Sequence, residues 1–302
     1  STRLGQTRNP YDPTRVPGGS SGGPGVSVAA WFATAGIGSE TGISIRNPTS
    51  ENNLVGLAAT QGLISRTGQI CSSFSQERGG PMARSVYDVA ALLDVIAGFD
   101  AEDLITIDSL GKMPAKPYVS FLDANGLSGA RLGVLRELFK DGPMHKDGRA
   151  LMDKAMADLQ QKGAILVDPI TTGVNLPTYL LNARVSTYER RFAFDKYFAR
   201  LGPDAPIRST EELVAKGGKY LKPNTAALLT QPPLDHDADY LARLQYRDVT
   251  RRLIVELMDR YQLDAIVYPF KTRPATKIGE PFSTYDPDSD NPLNAITSLP
   301  AL

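Results

Sequence analysis

The sequence predicts an α/β fold with some parallel strand pairing. Residues 131–135 (RLGVL) read as a buried strand, 146–162 as an amphipathic helix stopped by Gly163, and 164–167 as a second strand. That order is a crossover between parallel strands. Amphipathic or capped helices recur from residue 85 to residue 261. The composition, 41% hydrophobic and 22% charged, is ordinary for a globular chain. A length of 302 residues suits a single α/β core, and the chain reads as one domain over 1–302.

Residues 1–17 carry Pro and Arg without periodicity and read as extended loop. Residues 26–35, rich in Ala, read as a short helix with small side chains on its contact face. Asn47-Pro48 marks a turn, and 54–57 and 68–70 read as short segments between Gly and Ser turns. Ser85 opens a helix, SVYDVAALLDVIAG, with Asp88 completing a capping box and Gly98 as the C-terminal cap. Its apolar face is Val86, Val89, Ala90, Leu93, Ile96 and Ala97. Residues 99–128 read as loop. Beyond the strand–helix–strand unit, one helix is expected from Pro177 to about Arg200. Its aromatics (Tyr179, Tyr188, Phe192, Phe194, Tyr197 and Phe198) read as core rather than pocket lining. Ser209-Thr210-Glu211-Glu212 caps a short helix ended by Gly217-Gly218, 223–239 reads as loop, and 238–261 as a long charged amphipathic helix. Residues 263–268 (LDAIVY) read as a strand ended by Pro269, and 274–292 as an irregular lid or substrate loop.

The chemistry-bearing stretch is 18–46, GGSSGGPGVSVAAWFATAGIGSETGISIR. It holds two serine clusters set in glycine, Gly18-Gly19-Ser20-Ser21-Gly22-Gly23 and Gly42-Ile43-Ser44-Ile45-Arg46. Glycine loses more backbone entropy on ordering than other residues, so such density marks positive φ or close backbone approach. A glycine loop, a helix and a second glycine loop return the chain so that Ser20 or Ser21 meets Ser44. A serine hydroxyl is a poor nucleophile until a neighbouring base takes its proton. Acyl transfer also needs N–H groups aimed at the developing oxyanion. Successive peptides of Thr41-Gly42-Ile43-Ser44 supply such donors without polar side chains. Either run alone is equally an ordinary surface turn; the pair at this spacing favours chemistry.

This joint pattern resembles the signature of the amidase signature family of serine hydrolases. The likeness runs through Gly18–Gly23 and Gly38–Arg46, then Pro48, Leu54-Val55-Gly56, Thr60-Gln61-Gly62, Ser65-Arg66, Gly68, Gly80-Pro81-Met82-Ala83-Arg84-Ser85-Val86 and Asp88. It is near-continuous from about Gly18 to Asp100 and thin afterwards. The resemblance implies a mixed β-sheet flanked by α-helices and a Ser–Ser–Lys triad. It implies Ser44 as the acyl-accepting nucleophile and Ser20 as the serine bridging it to the base, usually through a cis peptide. The backbone of Thr41, Gly42, Ile43 and Ser44 matches the oxyanion hole, and Glu40 and Arg46 match a charged pair bracing the loop. The implied reaction is amide hydrolysis through an acyl-enzyme, releasing a carboxylic acid and an amine or ammonia, with carbamates and aryl esters as other substrates. No metal or organic cofactor is expected.

Two positions depart from the pattern. The family often has Gly where this chain has Ile43; a β-branched residue disfavours φ > 0, so the loop is either in ordinary β conformation or rebuilt. The family's base is a lysine upstream of the GGSSGG run. Here the first lysine is Lys112, residues 1–17 offer only Arg3, Arg8 and Arg15 as cations, and arginine does not deprotonate. The chain therefore reads as a fragment, with the lysine ahead of Ser1. Its closing Ser298-Leu299-Pro300-Ala301-Leu302 resembles a segment that normally runs into another strand.

Basic and acidic residues number 33 each, so formal charge is zero and nothing electrostatic favours nucleic acid or an anionic membrane. No apolar run approaches the roughly 20 residues of a membrane span. The single Cys71 excludes an intrachain disulfide and suits a reducing, cytoplasmic compartment. Gly18-Gly19-Ser20-Ser21-Gly22 fits G-x-S-x-G, yet lacks a preceding strand, and His145 and His236 read as surface residues rather than bases. Scattered His and Cys give no metal-ligand spacing, and the acidic loop 286–290 reads as solvated surface, with weak calcium binding the remote alternative. The expected partner is a small-molecule amide, carbamate or ester, with homodimerisation left open. Two competing readings are an amidotransferase component freeing ammonia for a partner, and an inactive scaffold that has lost its base.

Overall fold

Two three-stranded ladders organise the chain in a computed structural model that describes residues 5–221, 223–280 and 290–302. Helix α1, Gly22–Ala29, starts earlier than expected, inside the first glycine run. It also stops earlier: Trp31 takes a φ of 64°, and Trp31 and Phe32 lie 75% and 84% exposed rather than on a packed face. The chain turns at once into β1, Ala35–Glu40, so the expected helix over 26–35 is divided between a helix and a strand.

Strand β1 pairs antiparallel with the wholly buried β3, Arg78–Ala83, whose other edge takes β2, Val55–Gly56. At Gly80 a Cβ would sit 1.9 Å from the Leu57 carbonyl oxygen, so only glycine admits this close approach. Residues 68–70 form turn and irregular chain. Helix α2, Arg46–Glu51, follows the second serine cluster directly. Helix α3, Val86–Ile96, begins as read, with the Ser85 side chain accepting the Asp88 N–H. Val89, Ala90 and Leu93 are buried in it, while Val86 stays exposed. Ala97, in extended conformation, is its C-cap, and the Gly98 N–H goes to the Leu63 carbonyl instead of closing the helix.

The second ladder is parallel. Strand β4, Arg131–Leu135, lies between β5, Ile165–Ile170, and β6, Ala265–Val267. Helix α4, Lys146–Gln161, connects β4 to β5 as the sequence predicts, and Gly163 at φ 91° releases the chain from it. The molecule is thus α/β with both kinds of strand pairing, distributed over two ladders flanked by helices.

The single helix expected over 177–200 is two: α5, Leu176–Asn182, and α6, Ser186–Phe198. A side chain from elsewhere makes the break. Gln76 Oε1 accepts the N–H groups of Val185 and Ser186 at 2.8 and 3.0 Å, donors an unbroken helix would use internally. Among the aromatics of this stretch, Phe198 is buried and packs edge-on to Phe194 and Tyr197. Helices α7, Thr210–Gly217, and α8, Ala238–Tyr261, follow the predicted spans, with Ser209 and Asp237 as caps. A short α9, Leu293–Thr297, closes the described chain. Residues 281–289 of the expected lid, including 286–289 of the acidic loop, lie outside the described residues.

The main core joins the parallel ladder to these helices. Leu135 and Ile170 pack with Leu176 and Leu180 of α5, Ile254 and Leu257 of α8, and Leu293 and Ile296 of α9. An Ala58–Ala301 bridge ties the last residues to the chain leaving β2. No helix of the described residues is long and apolar enough to cross a membrane.

Candidate active site

The two glycine-set serine clusters meet. The Ser21 N–H donates to the Ser44 carbonyl at 3.2 Å. Gly18 has a φ of +73°, and a Cβ there would lie 2.2 Å from Asn47 Oδ1. That oxygen accepts the Gly19 N–H at 3.0 Å, so α2 holds the first turn. The Gly19–Ser20 peptide is cis, the position at which the resemblance implies one. The structure also separates the two adjacent serines. Ser21 is 7% exposed, and its Oγ is engaged with the N–H and C=O of Ser39, both at 3.1 Å. Ser21 therefore pins the turn to β1. Ser20 is exposed and lines, together with Ser44, one cavity of about 380 Å³.

The peptide units between β1 and α2 are oriented by their carbonyls. Thr41 C=O accepts from Gln76 Nε2 at 3.0 Å, and Gly42 C=O from Arg46 Nη2 at 2.7 Å. Ile43 C=O accepts the Asn47 N–H at 2.8 Å, and Ser44 C=O is held by Ser21. In a trans peptide the N–H points opposite to the C=O. The N–H groups of Gly42, Ile43 and Ser44 therefore face away from the partners of the preceding carbonyls, and among the described residues they donate to no acceptor. Gly42, Ile43 and Ser44 all border the cavity. Such an arrangement can receive a negatively charged oxygen. Ile43 is 6% exposed and is absent from the left-handed residues, so the loop takes its side chain in ordinary conformation.

Glu40 and Arg46 form the expected pair at 3.0 Å, both nearly sealed from solvent. Glu40 does more than balance charge. One carboxylate oxygen accepts the Ile45 and Arg46 N–H groups at 3.0 and 3.1 Å, and the other accepts Asn294 Nδ2 at 3.2 Å. Arg46 donates in turn to the Asn291 carbonyl at 2.8 Å. A charge this deep is tolerable because its lone pairs are filled.

Sequence reasoning missed Gln76 and Glu77. Gln76 joins the Thr41 carbonyl to the α5–α6 junction. Glu77 accepts the Thr41 hydroxyl at 2.5 Å and the Ser72 N–H at 3.1 Å. Burial pushes its carboxyl above the ordinary 4.5 despite these bonds. The loop is anchored from below by fully buried Glu189, which accepts the Ser73 and Ser75 hydroxyls, the Ser75 N–H at 3.0 Å and the Tyr240 hydroxyl at 2.8 Å. The available signal was the polar run Ser72-Ser73-Phe74-Ser75-Gln76-Glu77-Arg78 feeding a strand with no exposed residue.

No lysine lines the serine cavity among the described residues. Lys271 is buried elsewhere, 2.7 Å from Glu51 and 3.3 Å from Asp290. Burial opposes its charge, but the two carboxylates outweigh that and hold the ammonium above its ordinary 10.5, the reverse of what a base needs. His145, expected at the surface, is 7% exposed and bonded through Nδ1 to Thr272 Oγ1 at 2.8 Å, because it starts α4 against the segment after β6. His236 is exposed. Neither histidine borders the serine cavity. Cys71 is half-buried in a separate polar cavity with Arg66 and Asp103, and burial pushes its thiol up to about 11.

The family model for Amidase matches residues 1–301. The chain belongs to the amidase signature family. It is 32% identical over 322 residues to a Glutamyl-tRNA(Gln) amidotransferase subunit of Ralstonia nicotianae, covering 100% of this chain and 64% of the relative. Native peptide amidase from Stenotrophomonas maltophilia superposes with a TM-score of 0.81 at 33% identity, over 99% of this chain and 61% of that one. The corresponding Glutamyl-tRNA(Gln) amidotransferase chain from Thermotoga maritima gives 0.67 at 27% identity, over 98% and 60%. The chain therefore spans less than two thirds of the length of these relatives.

Proposed function

We propose that the chain carries the nucleophile, the relaying serine and the oxyanion donors of an amide hydrolase that works through a serine acyl-enzyme. One observation carries this reading: Ser20 and Ser44 border one cavity beside three main-chain N–H groups that have no acceptor among the described residues. Ser44 Oγ attacks the amide carbonyl while its proton passes to Ser20. The N–H groups of the 41–44 loop take the oxyanion, each direct donor of this kind being worth about 3–4 kcal/mol of barrier. Collapse of the tetrahedral intermediate expels the amine, which is protonated back through Ser20. Water then attacks the ester and releases the acid. In the family pattern the base that accepts the Ser20 proton is a lysine, and among the described residues no lysine borders the serine cavity. A desolvated lysine, held neutral, has the chemistry required.

Carbamates and aryl esters fit the same steps. A second reading, in which the serine frees ammonia for a partner enzyme, is favoured by the names of the curated relatives. A fluorophosphonate probe applied to the full-length protein tests the first. Ser44 is the expected label. Ser44→Ala loses both labelling and amide turnover, by about 10⁴-fold or more, with an unchanged melting temperature. An unlabelled, folded protein supports the inactive-scaffold alternative instead. Ammonia release from glutamine that appears only on adding a partner chain supports the second reading.

A further inference from the structure

A buried set of charges lies behind the turn that carries Ser20, and one side-chain amide joins it to that turn. The amide belongs to Asn47, on α2 and 1% exposed. The Asn47 backbone N–H donates to the Ile43 carbonyl at 2.8 Å, and its Oδ1 accepts the Gly19 N–H at 3.0 Å. A carboxamide turned over would aim Nδ2 at the Gly19 N–H, donor against donor. The group that opposes such a turn is Asp290. Asn47 Nδ2 reaches Asp290 Oδ2 at 3.5 Å, a long contact and its only acceptor among the described residues. The Asp290 side chain is sealed from solvent, and Lys271 Nζ stands 3.3 Å from its other oxygen. Lys271 also lies 2.7 Å from Glu51, which ends α2 one turn beyond Asn47. Two carboxylates and one ammonium are thus held almost out of water. The charged groups acting on Glu51 are Lys271, Asp290 and Arg15, and burial raises its carboxyl above the ordinary 4.5 in spite of the ammonium. Buried ion pairs are weak evidence for stability, because desolvation offsets most of their attraction.

We propose that Asn47 is a positioning residue for the Ser20 turn, held in its working orientation by the buried Asp290–Lys271–Glu51 set. This rests on the amide-hydrolase reading above, in which Ser20 relays the Ser44 proton. Asn47 borders none of the serine cavity, so it acts through the turns and not on the substrate. Its side chain holds the residue that precedes Ser20. Its backbone N–H holds the Ile43 carbonyl, which belongs to the same peptide as the Ser44 N–H. One residue therefore fixes the spacing between the relaying serine and the oxyanion loop. Proton transfer needs the two oxygens within about 2.6–3.2 Å, so a small shift of the first turn slows it. Asp290 supplies the acceptor that keeps Oδ1 of Asn47 towards Gly19. Lys271 keeps Asp290 ionised at that depth, and Glu51 fastens Lys271 to the helix that carries Asn47.

The test uses the full-length protein and exchanges the two groups in contact. In Asn47→Asp an oxygen still faces the Gly19 N–H, but two carboxylates meet where an amide met one. Such a pair shares a proton at low pH and repels once both ionise. Relative to wild type, kcat is expected to fall about tenfold or more as pH rises from about 5 to 8, with KM little changed. The double variant Asn47→Asp/Asp290→Asn reverses donor and acceptor across the same contact and keeps the charge of the set. It should recover most of the lost rate at pH 8, a rescue that a purely structural contribution does not produce. Hydrogen–deuterium exchange of the Gly19 N–H needs no turnover. Compared with wild type at the same pH, it should quicken about tenfold in Asn47→Asp at pH 8 and slow again in the double variant. Lys271→Met leaves the contact itself untouched and removes the counter-charge, so it should show the same loss of kcat with rising pH. Melting temperatures identify any variant that does not fold, and the remaining variants then decide. Exchange that follows this pattern in a protein hydrolysing no amide rejects the hydrolase reading and leaves the hold of Asn47 on the turn in place. Wild-type kcat and Gly19 exchange in Asn47→Asp at pH 8, or a folded double variant no faster than Asn47→Asp, overturns the proposal. A folded Lys271→Met protein with the wild-type pH profile overturns the part given to the charges.

Discussion

Glu77 stands between the serine loop and the interior, and its protonation is set by position. Burial raises its carboxyl above 4.5, while the Thr41 and Ser72 hydrogen bonds pull the other way and lose. A group whose folded pKa is raised holds its proton more tightly in the native state. Its contribution to stability is whole below pH 4.5 and is lost as pH rises through the higher folded value. Glu77→Gln removes that titration while keeping one acceptor oxygen. The expected outcome is a stability curve that declines less as pH rises above 4.5 than the wild type's, measured as urea midpoints across the series. Parallel decline of the two would show that Glu77 is not the titrating group. Ser20 and Ser21 make a related point, since neighbours in sequence have opposite situations. Ser21 is buried against Ser39, whereas Ser20 borders the cavity. Ser21→Ala should therefore cost about 1–2 kcal/mol of stability, read as a lower urea midpoint, because it leaves the Ser39 N–H without its acceptor.

At the scale of elements, the α5–α6 break and the serine loop are one device. Gln76 takes two N–H groups from the break with Oε1 and gives Nε2 to the Thr41 carbonyl. Removing the side chain as Gln76→Ala should lower stability by about 1–3 kcal/mol, since the buried Val185 N–H loses its acceptor. It should also lower kcat about 10–100-fold with KM little changed, because the peptide that presents the Gly42 N–H is released. Gln76→Glu separates the two roles. A carboxylate still accepts from 185 and 186 but has nothing to donate to the Thr41 carbonyl, so stability should largely survive while kcat falls. A kcat as high as wild type in Gln76→Glu would remove the orienting role. The break also explains why periodicity failed over 177–200. Both halves are helical, and the side chain that parts them comes from far away in sequence.

Across the whole molecule, the parallel ladder and the serine cavity share a wall. Ile296 belongs to the main core and also lines the cavity. Leu257 sits on α8 in the same core at 1% exposure and borders none of the cavity. Leu257→Ala should cost about 3 kcal/mol, a buried methyl-rich group plus the void it leaves, seen as a lower urea midpoint at unchanged m-value. The second turn depends on long-range support in the same way. Arg46 and Glu40 reach Asn291 and Asn294, which lie just before and on α9, far along the sequence from the turn they brace.

The sequence alone determined the elements whose signals are local. The Ser85 and Ser209 caps, the β4–α4–β5 crossover and the span of α8 depend on residues within a turn or two of each other. So did the pairing of two glycine-set serines, because glycine density is itself a local record of where backbone must come close. Tertiary structure decided what no neighbour in sequence carries. It set Ser20 rather than Ser21 on the cavity, gave Ile43 an ordinary φ, buried His145 and divided α5 from α6. It also set the Asn47 amide between the Gly19 N–H and Asp290. Each of these depends on which distant group fills a hydrogen bond, and that is settled only when the chain has packed.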